Sequence, residues 1–180
     1  MPPEITYPLD TLKQFIEHDD NAVVAFYGGE PLLRIETMKR IIQMVNAKHF
    51  VLQTNGLHLN EVGSTVHKLD TILVSIDGRK EVNDAYRGEG NYDQVIRNVN
   101  WLRHNGYGGE LIARMVASVR TDIFRDVTHL LSLNLFDYVH WQIDAIWSTL
   151  FSDFPAWVDE CYLPSLMPVS YTHLTLPTKA

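Results

Sequence analysis

Five runs of apolar, β-branched and aromatic residues punctuate the chain: AVVAFY (Ala22 to Tyr27), HFVLQT (His49 to Thr54), TILVSI (Thr71 to Ile76), ELIARMVAS (Glu110 to Ser118) and YVHWQID (Tyr138 to Asp144). Most are continuous rather than alternating, which predicts strands buried on both faces of a parallel sheet. Between them, apolar residues recur with helical spacing: Leu9, Leu12, Phe15 and Ile16; Met38, Ile41, Ile42 and Val45; Val95, Val99 and Leu102; Val127, Leu130, Leu131 and Leu133. Strand and helix are therefore expected to alternate without exception, as parallel α/β units in either an open doubly wound sheet or a (β/α) barrel. Asp10 with Thr11 and Thr121 with Asp122 suit helix starts, and HNGYGGE (His104 to Glu110) reads as a glycine-rich helix exit into the fourth strand. From Ser165 to Ala180 the alternation stops and no helical period is visible. That stretch resembles a translated sequencing-adapter tail, so residues 163–180 are expected to be non-native and residues 1–162 to form the domain.

Composition narrows the classes without changing this architecture. With 180 residues, 46% of them hydrophobic, the chain has material for one globular domain with a substantial core. A formal charge of -7 and the lack of a Lys/Arg run disfavour nucleic acid and anionic membranes as partners. No leader-like segment opens the chain, and no apolar run approaches the ~20 residues that span a bilayer, so a cytoplasmic location is expected. The eight histidines show no HExxH-like spacing, and no metal ligands are assigned. The one cysteine, Cys161, excludes an internal disulfide and any Cys-rich zinc or iron-sulfur site built from this chain alone.

In parallel α/β folds ligands gather at the carboxyl ends of the strands, and here polar and glycine residues follow each one. YGGEP follows the first, TNG (Thr54 to Gly56) the second, and SIDG (Ser75 to Gly78) with DAYRG (Asp84 to Gly88) the third; Arg114 and Ser118 lie on the fourth, and the fifth ends in WQIDA. Gly28 and Gly29 leave backbone groups reachable by a small zwitterion, and Glu30 can accept from an ammonium. Ser75 and Asp77, two apart on a strand, leave one face and could hold a ribose diol. Arg87 offers a planar fork for a carboxylate. An amine, a carboxylate and a ribose are the handles of S-adenosylmethionine. Taken singly, each motif also has a plainer reading: a strand-to-loop turn for YGGEP, helix capping for Ser75 and Asp77, and a surface ion pair with Asp84 or Glu89 for Arg87.

Together and in this order, AFYGGEPLL, VLQTNG, VSIDG and YRG resemble the radical S-adenosylmethionine enzymes, most closely a peptide-modifying branch from methanogenic and related archaea, over roughly Tyr7 to Tyr162. The resemblance implies a partial (β/α)6 TIM-like barrel. It implies that Gly28, Gly29 and Glu30 contact the methionine amino group, that Ser75 and Asp77 lie near the ribose, and that Arg87 lies near the carboxylate or ribose. Asn55, Arg114, Gln142 and Asp144 would line the cavity. The family's CxxxCxxC loop, which holds a 4Fe-4S cluster, does not occur in these 180 residues. The resemblance therefore also implies a fragment without its first strand and cysteine loop, inactive by itself. Its parent would reductively cleave S-adenosylmethionine to a 5'-deoxyadenosyl radical and modify a ribosomal peptide or protein, with a reductant such as a ferredoxin or flavodoxin. Two other classes stay open: a non-catalytic nucleotide- or peptide-binding α/β domain, and an aldolase-like barrel enzyme with GGEP and TNG as a phosphate cradle.

Overall fold

The computed structural model describes residues 7–144 and 154–175. Five strands, β1 (Val23–Phe26), β2 (His49–Thr54), β3 (Thr71–Ser75), β4 (Glu110–Ala117) and β5 (Tyr138–Ile143), form one sheet in the order β1-β2-β3-β4-β5, every neighbouring pair parallel. All five lie where the apolar runs predict them. Sequential order decides between the two architectures left open: right-handed crossovers between successive neighbours put every connection on the same face, so the sheet is singly wound. The helices on that face are α1 (Leu9–Ile16), α2 (Ile35–Met44), α3 (Lys80–Arg87), α4 (Asn91–His104) and α5 (Ile123–Ser132).

Burial alternates along the strands, contrary to the expectation of two covered faces. Leu52, Ile72, Val74, Leu111, Ala113, Met115 and Ala117 are fully buried and pack with Val95, Val99, Leu102, Val127 and Leu130 of α4 and α5. Their neighbours on the other face, among them Gln53, Leu73, Ser75, Ile112 and Arg114, are half-buried. Among the described residues, one-sided winding leaves that face without helices. The runs read as continuous because the open face also carries Val51, Leu73, Ile112 and Val116.

Strict alternation of strand and helix also fails, between β2 and β3. That crossover consists of two 3-10 segments, Leu59–Glu61 and Gly63–Lys68, which bury Leu59, Val62 and Val66 without an α-helix. Conversely, β3 and β4 are joined by two helices, since α3 precedes α4. At the helix starts, Asp122 accepts from the Arg125 N–H as expected, whereas α1 begins at Leu9 after Pro8 with no side-chain cap.

Helical structure resumes at α6 (Phe154–Trp157), passes through a π turn (Val158–Tyr162) and ends in α7 (Leu163–Thr175). The stretch that showed no helical period is thus largely helical, with Pro168 inside it. Its Val169 is 3% exposed and belongs to the main core, with α7 packed on α5. Burial against an existing core fixes a helix that periodicity alone does not specify.

Candidate functional site

At the end of β1 the chain turns through Gly28 (φ 96°) and Gly29 (φ 56°), a left-handed pair that side chains with a Cβ rarely adopt. A Cβ on Gly29 would meet nothing within 4 Å, so backbone conformation rather than crowding calls for glycine there. Glu30 follows as the cap of a 3-10 turn (Pro31–Arg34). Its Oε1 accepts from the Leu32 N–H (3.0 Å) and the Thr54 hydroxyl (2.7 Å), and its Oε2 from the Asn55 N–H (2.7 Å). The carboxylate therefore bridges the ends of β1 and β2. Asn55 contributes its backbone to Glu30 and its side chain to a local turn, accepting from the Leu57 N–H at 2.9 Å. Thr54 is 2% exposed, and its place beside Glu30 was not read from the sequence. The signal was present: a hydroxyl ends the strand next to the predicted acid.

A second group forms after β3. Asp77 is 3% exposed, and its Oδ1 accepts from Arg87 Nη2 (2.9 Å) and from the Val116 N–H of β4 (2.9 Å). Arg87 Nε lies 2.7 Å from Asp77 Oδ2, but outside hydrogen-bond geometry, so that contact is an ion pair and the buried Nε–H has no aligned acceptor among the described residues. Arg87 thus pairs with Asp77, not with Asp84 or Glu89. The Asp77 N–H donates to Asn83 Oδ1 (3.1 Å), and Asn83, fully buried, donates to Asn91 Oδ1 (2.9 Å). These links tie the β3 exit to both following helices.

Asp84 holds the turn between α3 and α4, accepting from the N–H groups of Gly90 (3.1 Å) and Tyr92 (2.8 Å). Desolvation is the largest single effect on its carboxyl and pushes the pKa up. The Tyr92 and Gly90 donors, the Asn83 amide and the Lys80 charge together outweigh it, and the net direction is down. A carboxyl depressed in the folded state contributes stability above its unfolded pKa and loses it as pH falls through the folded value. Asp84→Asn is accordingly expected to lower the urea midpoint at pH 7 and to flatten its fall below about pH 4. An unchanged acid limb would contradict this assignment.

On the open face, register aligns Ser75 with Arg114 and Arg114 with His140. Arg114 Nη2 donates to Gln142 Oε1 at 2.9 Å. Asp144 continues the strand pairing through its N–H to the Ala117 carbonyl (2.8 Å). The predicted residues therefore form three groups at neighbouring strand ends: Gly28, Gly29 and Glu30 with Asn55; Asp77 with Arg87; and Ser75, Arg114 and Gln142 on the open face beside Asp144. His140 and Gln53 share that face and were not foreseen, because both sit inside runs that read as buried. A cavity of about 590 Å³ lies elsewhere, beside β1 and against α1 and α2. Of the predicted residues it is lined by Gly28, and its Leu12, Met38 and Ile41 mark it as a gap between strand and helices.

Behind the rim, Asp126 of α5 is fully buried. Its Oδ1 accepts from the Arg79 N–H (3.0 Å) and Arg79 Nε (2.8 Å), and its Oδ2 from the Asp122 N–H (2.9 Å). The hydrogen bond from the Arg79 side chain, with the Asp126 charge, raises the Arg79 pKa against the cost of burial. Gly78 (φ 104°) packs against the same carboxylate. Sequence pattern gave no hint of Asp126, a polar residue on the buried side of an amphipathic helix.

A singly wound parallel sheet with charged and glycine-rich turns at its carboxyl ends is a framework on which α/β proteins place ligands. Residues 3–122 match the model of the Radical SAM superfamily, and the chain belongs to that superfamily. It is 33% identical over 104 residues to a cysteine-type anaerobic sulfatase-maturating enzyme of Clostridium novyi, a match that covers 50% of this chain and 28% of that enzyme. It is 31% identical over 101 residues to the mycofactocin maturase MftC of Mycolicibacterium smegmatis, covering 53% of this chain and 26% of that one. Each alignment thus spans less than a third of the relative. Among solved structures, native anSMEcpe with bound AdoMet superposes with a TM-score of 0.75 at 18% identity, over 92% of this chain and 51% of that chain. The same protein with bound AdoMet and the Kp18Cys peptide gives 0.74 at 18% identity, over the same shares. At such identities the likeness is one of fold. No helix among the described residues is long and apolar enough to cross a membrane.

Proposed function

We propose that the rim at the carboxyl ends of β1 to β5 binds S-adenosylmethionine, within a partial (β/α)6 barrel of the radical S-adenosylmethionine type. The observation that carries this reading is the Glu30 carboxylate. It is fixed at the Gly28–Gly29 turn by three donors, of which Oε2 receives one, which leaves that oxygen room to accept from an ammonium group. The residues fit the remaining handles of the ligand: exposed backbone at Gly29, the hydroxyl of Ser75 and the guanidinium of Arg87 for ribose and carboxylate, and Arg114, Gln142, Asn55 and Asp144 for the walls. Bound S-adenosylmethionine supplies, on one-electron reduction, a carbon radical for hydrogen abstraction. The chain's own part is to orient the ligand and keep water from it.

An iron-sulfur cluster does not fit the donor set in hand. It takes several thiolates, the sequence holds Cys161 alone, and among the described residues no three His, Cys, Asp or Glu side chains converge. The maturase relatives and the peptide seen with anSMEcpe support a peptide or protein substrate for the whole protein. A one-electron donor such as a ferredoxin or flavodoxin would be its second partner.

Equilibrium dialysis with labelled S-adenosylmethionine tests the reading. Saturable binding is expected, displaced by S-adenosylhomocysteine and weakened about tenfold by Glu30→Gln, the scale of one charge-assisted hydrogen bond. Undiminished binding by the variant, or none by the parent chain, would overturn it.

A further inference from the structure

Asp77 stands two residues beyond Ser75, where a strand-end acid would reach a ribose, but its surroundings are those of a structural anchor. Its side chain is 5% exposed. Oδ1 already receives two donors, from β4 and from the end of α3, while Oδ2 faces Arg87 Nε at 2.7 Å. A diol could reach the nearly buried Oδ2 only by moving Arg87 aside, and could take Oδ1 only by displacing Arg87 or the Val116 N–H. The latter exchange would reopen the sheet. The Ile76 N–H donates to the Arg114 carbonyl at 3.1 Å as the β3–β4 ladder closes, and the Asp77 carboxylate then accepts the next β4 donor where a continued ladder would use the Ile76 carbonyl. Arg87, by contrast, keeps 23% of its side chain exposed at the rim, with one aligned bond to Asp77 and further donors to spare.

We propose that Asp77 is a positioning residue: it pins the Arg87 guanidinium at the rim and closes the β3–β4 junction, and Arg87 alone of the pair meets an anionic or hydroxyl group of the ligand. This rests on the reading of the rim as an S-adenosylmethionine site and refines it. A buried carboxylate that fixes one end of a guanidinium removes the rotamer entropy that Arg87 would otherwise lose on binding. Asp77→Asn retains a carbonyl for the Val116 N–H while removing the charge that holds Arg87.

Two readouts separate the position of Arg87 from the identity of the ligand. In the chain without ligand, hydrogen exchange at Arg87 Nε–H is expected to be slow and to speed up at least tenfold in Asp77→Asn with the thermal transition still cooperative. Equal exchange in both proteins would overturn the pinning. With S-adenosylmethionine, Asp77→Asn and Arg87→Gln are each expected to weaken binding about tenfold, and the double variant no more than Arg87→Gln alone. Arg87→Lys, which keeps the charge but not the fork, is expected to fall between. Multiplying losses in the double variant, near a hundredfold, would mean that Asp77 touches the ligand itself and would overturn the proposal. Absence of binding by the parent chain would instead overturn the reading of the rim, and the exchange experiment would still decide whether Asp77 pins Arg87.

Discussion

Replacing Asp126 with alanine is expected to cost about 3 kcal/mol of folding stability, seen as a lowered urea midpoint at unchanged slope. The carboxylate is fully buried and is the shared acceptor for two N–H groups of Arg79 and one of Asp122. Removing it leaves the backbone donors of Arg79 and Asp122 without that partner in a protein interior, and donors stranded this way cost more than the bond itself was worth. The estimate sits at the low end for a broken buried pair because the Arg79 side chain is 27% exposed and can regain water. Asp126→Asn should be nearly as damaging. Its amide keeps one acceptor but turns a second donor toward groups that already donate. A loss below about 1 kcal/mol in both variants would show that the loop after β3 does not depend on this anchor.

Gly78→Ala is expected to be of similar size, about 3 kcal/mol, from two causes that act at one point. Gly78 sits at φ 104°, where a Cβ is strained whatever the space, and that Cβ would stand 2.5 Å from Asp126 Cβ and 2.6 Å from its Cγ and Oδ1. Neither element can yield easily: one is the exit of β3, and the other carries the carboxylate that holds Arg79. The two substitutions should be non-additive in part, because Asp126→Ala removes the Oδ1 and Cγ atoms that the new methyl meets but keeps the Cβ that stands nearest to it. A double-mutant cycle by urea unfolding measures this. Additive losses would mean that the strain at Gly78 comes from its backbone and from the Asp126 Cβ, not from the carboxylate.

What the sequence made legible follows what apolar patterning can encode. The five strands and four of the helices were visible because each carries an apolar run or period, which in β2, β3, β4, α2, α4 and α5 buries several side chains. The 3-10 crossover was not: Leu59, Val62 and Val66 keep a helical spacing of three and four, but Gly63 and Ser64 interrupt it. Helix α3 escaped for the opposite reason: it buries Val82 and Asn83 only, so its residues read as a polar loop. One-sided burial of the sheet was hidden by apolar residues on the open face.

At the site, residue types were legible and partners were not. Glu30, Asp77 and Arg87 stand out as charged groups after strands, but only the folded chain brings Thr54 to Glu30 across 24 positions or Val116 to Asp77 across 39. Asp126, Asn83 and Asn98 are polar residues on buried helix surfaces, and a hydrophobic pattern registers them merely as interruptions. Asn98, 4% exposed, donates to the carbonyls of Gly56 and Leu57 at 2.8 Å each and so fixes the turn that follows β2.

The most direct measurement is a crystal structure of the chain grown with S-adenosylmethionine. The ligand is expected across the carboxyl ends of the strands, with its ammonium on Glu30, its ribose over Ser75, and Asp77 still bound to Arg87 and to the Val116 N–H. A ligand lodged in the cavity beside β1, against Leu12, Met38 and Ile41, or making no contact with Glu30, would contradict this expectation.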